Sequence, residues 1–186
     1  MFWKLFGTYG VLVVVSVGVL GAVITARNEE AFRRSVRLSL ENQAVQLTPA
    51  LVGFLRSREV VDAPEINRYA KLAGSRITLI APDGLVLADS ASDAREMENH
   101  GSRPEVLAAK RDGFGVATRT SETLERPFMY LAHRVDGDDG VVRGFLRVAL
   151  PIETFRERAP EVRVIVWGGA FVTGCLAMFV AWVLAS

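Results

Sequence analysis

Residues 76–90, RITLIAPDGLVLADS, decide the fold of this 186-residue chain. Two short aliphatic and β-branched runs, 76–80 and 85–88, flank the triplet Pro82-Asp83-Gly84. Aliphatic and β-branched residues favour strands, and a Pro-Asp-Gly triplet between two strands favours a tight reversal of the chain. The sequence therefore predicts a β-hairpin here.

One helix and three more strands are predicted after this hairpin. Ser102-Arg103-Pro104-Glu105 has the pattern of a capping box, in which the serine accepts from free amides and the glutamate reaches back, so a helix should begin here and stop near Gly113. Strands are predicted at 115–120, 128–135 and 142–150, and a return helix at 152–162. The turn between the last two strands contains Asp136, Asp138 and Asp139, which lack the spacing of an EF-hand calcium loop and predict a polar turn.

Two helices are predicted before the hairpin. Apolar residues recur at intervals of three and four over 28–57, which indicates an amphipathic helix; they are Phe32, Val36, Leu40, Ala44, Leu47, Leu51 and Leu55. A bend is expected near Pro49, because proline lacks an amide and its ring clashes with the preceding turn. A shorter helix is expected at 63–72, ending at Gly74.

Two uncharged apolar runs, 5–26 and 164–186, lie near the ends of the chain. Each has the roughly twenty residues that a helix needs to cross the hydrocarbon core of a bilayer. The predicted organisation is a transmembrane helix at 1–26, a stalk helix at 27–58, a sensor domain at 59–155, a linker helix at 156–163 and a second transmembrane helix at 164–186. The predicted domain is an α+β fold, in which a long N-terminal helix packs on a five-stranded antiparallel sheet.

Composition excludes several classes of function. The chain has 22 basic and 21 acidic side chains, so it lacks the positive surplus of a nucleic-acid-binding protein. Its single cysteine, Cys175, lies in the second apolar run, which rules out a disulfide framework and a thiolate metal site. No cofactor and no metal are expected.

Three segments carry a resemblance to a known family: the hairpin at 76–90, the block MENHGSRPEV at 97–106, and the strand MYLAHRV at 129–135. Together they resemble the N-terminal sensor region of PhoR-type (phosphate-regulon) two-component histidine kinases, which is PAS-like or Cache-like. The resemblance implies a two-pass protein of the bacterial inner membrane with an extracytoplasmic sensor domain. It also implies a homodimer through the membrane and stalk helices, a cytoplasmic kinase domain and a response regulator as partners.

The kinase itself is not found in this sequence, which has neither an H-box helix nor an ATP lid. Its only histidines, His100 and His133, lie within the predicted sensor domain. We therefore expect no catalytic residue and no activity from this chain alone, and read it as the input half of a PhoR-like kinase. The alternatives are a sensor for a different output, such as a chemoreceptor or a cyclic-dinucleotide enzyme, and a stand-alone anchored binding or adaptor domain.

Candidate sensing residues are Asp89, Asn99, His100, Arg103, Glu105, Arg119, Tyr130 and His133. One interpretation is that His100 titrates in the physiological range beside Arg103, which is available for an anionic ligand. The other is that Asn99, His100, Ser102 and Glu105 only fix the loop and cap the helix. Likewise Arg119, Tyr130 and His133 either line a pocket under this loop or belong to the core and a solvated face.

Overall fold

The computed structural model describes residues 2–60, 63–121 and 126–152, together with Gly168, Gly169 and Gly174. The predicted return helix, the 156–163 linker and the second apolar run fall outside the described residues, apart from Ile152 and these three glycines. The chain divides into two compact units, and one of them, Arg33–Ile152, contains the whole sheet.

The order of elements agrees with the prediction from sequence. The helices are α1 (Phe2–Ser57), α2 (Ala63–Ala73) and α3 (Pro104–Asp112), and a short 3₁₀ turn covers Ala94–Glu96. The strands are β1 (Arg76–Ile80), β2 (Val86–Asp89), β3 (Phe114–Thr120), β4 (Pro127–Asp136) and β5 (Val142–Pro151). They form one antiparallel sheet in the order β2-β1-β5-β4-β3, which confirms the five-stranded α+β fold.

The predicted hairpin joins β1 to β2 through a turn that depends on Gly84. This residue has a φ of 92°, which is easily reached only without a Cβ atom. Its amide donates to the Ala81 carbonyl at 2.9 Å, while the Asp83 side chain accepts from the Leu85 amide at 3.1 Å. The turn therefore includes Leu85, and β2 begins one residue later than predicted.

One face of the sheet packs against α1 and α2, which gives the domain its main apolar core. The α1 residues Leu40, Ala44, Leu51 and Leu55 are almost wholly buried in this cluster, together with side chains of every strand except β3. The predicted amphipathic pattern of α1 is thus confirmed. Pro49 lies inside α1, so the helix continues past the residue where a bend was predicted.

The other unit includes the part of α1 up to Phe32. Several apolar side chains in this part are exposed: Leu12, Val15, Val19, Leu20, Val23 and Ile24. In the part of the chain that the structure describes, no helix meets the combined length and hydropathy expected of a membrane span.

Candidate functional site

The sheet face opposite α1 carries a row of polar side chains where an apolar surface would be expected. Because strands of an antiparallel sheet place directly opposed residues on the same face, the register decides which side chains meet. Asp89 of β2 lies opposite Thr78 of β1, and Thr78 lies opposite Arg147 of β5. In the next row, Arg76 of β1 lies opposite Ala149 of β5, and Ala149 lies opposite Tyr130 of β4.

These side chains border a pocket of about 340 Å³. Its walls come from the sheet, from the segment that follows β2, and from the loop before α3. The lining residues are Arg76, Ser92, Asp93, Glu96, Met97, Glu98, His100, Arg103, Arg119, Ser121, Tyr130 and Arg147. Four arginines thus face one cavity, which is an unusual concentration of positive charge for a protein interior.

Asp89 is buried beside the pocket and its carboxylate is fully hydrogen-bonded. It accepts from Thr78 Oγ1 at 2.7 Å and from Arg76 Nε at 3.0 Å. It also accepts the backbone amides of Ala91 and Ser92, at 2.8 and 3.1 Å. Asp89 therefore fixes the chain after β2 and holds Arg76 in place. It is one of the candidate sensing residues, but its carboxylate is used in these internal hydrogen bonds and is not exposed to a ligand.

Arg147 occupies the centre of the sheet and is only 2% exposed. Its Nη2 and Nε atoms donate to Thr78 Oγ1 at 3.0 and 3.3 Å, and its Nη1 donates to Glu105 Oε1 at 3.4 Å. Burial lowers the pKa of Arg147 from its ordinary value to about 10, although the nearby Glu105 and Asp89 oppose this shift. The guanidinium remains charged at neutral pH in spite of its loss of hydration.

Glu105 is the second buried carboxylate, and its role differs from the prediction. The N-cap residue of α3 is Arg103, and its side chain makes no capping hydrogen bond. The predicted Ser102–Glu105 capping box is therefore wrong. Glu105 instead points inward, where its Oε1 accepts from both Arg147 and Arg119 at 3.4 Å. Ion pairs with two arginines in the interior stabilise this orientation of the Glu105 side chain more than one hydrogen bond from a backbone amide at the helix end would.

Tyr130 forms the aromatic part of the pocket wall. The guanidinium carbon of Arg119 lies 4.3 Å from the centre of the Tyr130 ring, and that of Arg147 lies 5.0 Å from it. Cation–π attraction therefore helps to hold both arginines beside the cavity. Of the two interpretations offered by the sequence for Arg119 and Tyr130, the structure agrees with the one that places both residues at a pocket.

His100 and Asn99 belong to the loop over the pocket. Asn99 donates to the Asp83 carbonyl at 3.0 Å and accepts from the Gly101 amide at 2.8 Å, while the His100 amide donates to the Gly84 carbonyl at 2.8 Å. These bonds tie the loop to the β1–β2 turn, as the structural interpretation predicted.

The imidazole of His100 is 5% exposed, and burial, Arg147, Arg103 and Arg119 together lower its pKa to about 4. The expected titration of His100 in the physiological range is therefore wrong for this pocket, because the ring stays neutral there.

His133 does not belong to the pocket. It lies on the α1 face, where its ring stacks on Phe114 with centroids 4.3 Å apart and its Nδ1 lies 3.2 Å from Thr48 Oγ1. Of the two interpretations of His133, the structure therefore agrees with packing in the core and not with a place beside Tyr130, because residues an odd number of positions apart on a strand point to opposite faces.

The chemistry of the cluster favours anion binding. Arg76, Arg119 and Arg147 contact only two buried carboxylates, Asp89 and Glu105, which leaves one positive charge unmatched among the described residues. Arg103 adds a further guanidinium at the rim, where its Nη2 lies 3.9 Å from Glu98. Within the same residues, no group of acidic, histidine or cysteine side chains has the arrangement of a metal site.

Sequence reasoning missed Arg76, Thr78 and Arg147. A signal for Arg147 was present, since it interrupts the apolar run Phe145-Leu146-Arg147-Val148 within a predicted strand. A charged residue at a position whose neighbours indicate burial is rare unless it is paired or functional. The partners of Arg147 lie far away along the chain, so the sequence did not reveal them.

Comparison with known proteins identifies the fold. No family model and no curated protein matches the chain. Among solved structures, the ligand-binding domain of the Campylobacter jejuni chemoreceptor Tlp3 in complex with L-valine matches 75% of this chain at 16% identity, with a TM-score of 0.52. The chain spans 61% of the length of that structure and 54% of the Tlp3 structure with 4-methylisoleucine.

Two further matches come from other signalling proteins. The sensor domain of the Vibrio cholerae histidine kinase DctB matches 82% of this chain at 14% identity, over 58% of its own length, with a TM-score of 0.44. The ligand-binding domain of the Pseudomonas aeruginosa chemoreceptor PctC with GABA matches 74% at 16% identity, over 61% of its own length, with a TM-score of 0.47. Together with the strand order and the long N-terminal helix, the Tlp3 match shows that the sheet-containing unit has the fold of Cache-like sensor domains.

Proposed function

We propose that this chain is the input region of a membrane-bound signalling receptor and that its pocket binds a small anionic ligand. One observation supports the proposal above all others: Arg119 and Arg147 line the pocket within a buried cluster that has an unmatched positive charge. Burying charge is costly unless it is compensated. A cluster that keeps an excess guanidinium beside a cavity is therefore suited to an anion that enters from solution.

Binding is measurable as stabilisation of the folded protein. We expect a panel of small carboxylates and oxyanions to contain members that raise the unfolding temperature of the full chain, since a ligand at about 100 times its Kd contributes roughly 2.7 kcal/mol. Arg147→Met removes a lining guanidinium and should abolish this effect. Arg143→Met is the matched control, because Arg143 lies on the same strand but pairs with Asp139 outside the pocket. Equal responses of the two variants would contradict the assignment of this pocket.

The membrane part of the proposal is supported by α1. Its exposed aliphatic side chains before Phe32, among them Leu12 and Leu20, form the kind of surface that soluble monomers rarely present in one place. We propose that lipid covers this surface and that the run at 164–186 forms a second span. The resemblance to PhoR-type kinases supports an extracytoplasmic position of the sensor domain between the two spans.

Topology is tested with a membrane-impermeant maleimide. Asp138 lies in the β4–β5 turn and its side chain is fully exposed, so Asp138→Cys in a Cys175→Ser background gives one accessible thiol. Labelling of intact cells is expected. Labelling only after the cells are broken would contradict an extracytoplasmic domain.

For the output, we propose a PhoR-like two-component histidine kinase that works as a homodimer and signals through a response regulator. The hairpin at 76–90 and the block at 97–106 support this choice over a chemoreceptor, a cyclic-dinucleotide enzyme or an adaptor. The coding sequence that follows Ser186 tests it: an H-box and an ATP-binding domain are expected, and a methyl-accepting or nucleotide-cyclising domain would contradict it.

A further inference from the structure

The two buried carboxylates of the arginine cluster are not equivalent. Asp89 accepts hydrogen bonds at both oxygens, from two side chains and two backbone amides. Glu105 uses only Oε1, which two arginines share at 3.4 Å, and its Oε2 has no hydrogen-bond partner among the described residues. Asp89 therefore fixes the local structure, whereas Glu105 contributes mainly its negative charge.

The position of Glu105 is rigid. Its side chain is fully buried in the first turn of α3, and its backbone carbonyl packs so closely on Gly115 of β3 that a Cβ atom at Gly115 would collide with it. This packing places the carboxylate beside Arg119 and Arg147.

The other acidic residues of the pocket cannot take over this role. Asp93, Glu96 and Glu98 border the cavity but are exposed, so water and salt screen their charges. The charge next to a bound ligand is accordingly set by Arg76, Arg119 and Arg147 against the two buried carboxylates, whereas Arg103 lies at the rim and is paired with Glu98 at 3.9 Å.

We propose that Glu105 sets the charge selectivity of the pocket, so that it accepts ligands with a single negative charge and discriminates against dianions. This inference rests on the proposed function of the pocket as an anion site. One carboxylate of the ligand matches the one excess positive charge, whereas a second ligand carboxylate would be buried without a counter-charge, which is strongly unfavourable.

Glutarate and its monoamide, glutaramate, test the idea because they have the same chain length and differ by one charge. Their affinities for the full chain are measured by calorimetry at neutral pH. The wild-type chain is expected to bind glutaramate at least about tenfold more tightly than glutarate, given the strength of unit-charge interactions away from water. Glu105→Gln leaves two positive charges unmatched and should shift this ratio towards glutarate by about tenfold or more.

Asp138→Asn is the matched control, since it removes the same formal charge from a fully exposed side chain in the β4–β5 turn, outside the pocket. Its ratio of affinities should change by less than about twofold, because exposed charges are screened. An equal shift in Asp138→Asn and Glu105→Gln, or no shift in Glu105→Gln, overturns the proposal.

Arg147→Met provides a second variant in case Glu105→Gln does not fold. It leaves two guanidiniums against two carboxylates, so glutaramate should bind at least about tenfold more weakly than to the wild-type chain. Unchanged affinity for glutaramate would overturn the charge argument. If neither glutarate nor glutaramate binds to any of the folded chains, both the proposed anion site and the role of Glu105 are contradicted. If they bind with the same ratio of affinities in all variants, only the role of Glu105 is contradicted.

Discussion

Replacement of Arg147 by methionine should leave the stability of the ligand-free protein nearly unchanged, although Arg147 is among the most buried side chains of the domain. Burial lowers the pKa of Arg147 to about 10, so the protein disfavours its charged form. A shift of this size corresponds to roughly 3 kcal/mol. Methionine avoids this cost and fills a similar volume.

The substitution also removes favourable interactions. Arg147 donates two hydrogen bonds to Thr78, each worth roughly 1 kcal/mol, whereas its attraction to Glu105 is already included in the pKa of about 10. No partner is left alone, because Thr78 still donates to Asp89 and Glu105 still accepts from Arg119. The two effects nearly cancel, and we expect the free energy of unfolding to change by less than about 1 kcal/mol.

Urea unfolding of the full chain, followed by far-UV circular dichroism, measures this change. Asp89→Asn is the comparison, since it weakens a carboxylate that accepts from Thr78, Arg76 and two amides, and we expect it to cost roughly 3 kcal/mol. A loss of more than about 2 kcal/mol in Arg147→Met would refute the reasoning, because it would mean that Arg147 is retained for stability and not for binding.

Three more predictions concern pH, a turn and the core. The pKa of His100 is about 4 in the folded protein and 6.5 in the unfolded chain, so protonation favours unfolding: stability should fall as pH drops from 6.5 to 4, by at most roughly 3 kcal/mol, and His100→Asn should reduce this dependence in acid titrations. Gly84→Ala would place a Cβ atom against Asn99 and Gly101, so it should destabilise the loop by clearly more than Gly140→Ala, where φ is also positive but the space is open; hydrogen exchange of residues 97–101 distinguishes them. Leu131→Ala should cost roughly 3 kcal/mol in urea unfolding, whereas Leu72→Ala, at a residue that is 79% exposed, should cost almost nothing.

Local patterns allowed most of the fold to be predicted. The β1–β2 hairpin was recognisable because its strands and its Pro-Asp-Gly turn are adjacent in sequence, and the apolar period of α1 reflects direct contact with the sheet. Within the hairpin, β2 begins and ends one residue later than predicted, since the turn hydrogen bond of Asp83 includes Leu85.

The pocket was harder to predict because it depends on strand register. Thr78 and Arg147 are 69 residues apart and meet only because β1 pairs with β5. Glu105 matched a local capping pattern, yet long-range ion pairs determined its direction. His133 and Tyr130 could have been separated from sequence alone, since alternation along a strand places them on opposite faces.

The position of β5 in the sheet has a consequence for synthesis of the protein. β5 is the last strand in sequence but the middle strand in space, and within the sheet it alone links the β1–β2 pair to the β3–β4 pair. Until the ribosome has released residues 142–151, the nascent domain consists of two separate hairpins with unpaired edges. Such hairpins are marginally stable in water, so the complete sheet is expected to form only once β5 has left the ribosome, and the hairpin edges stay exposed until then.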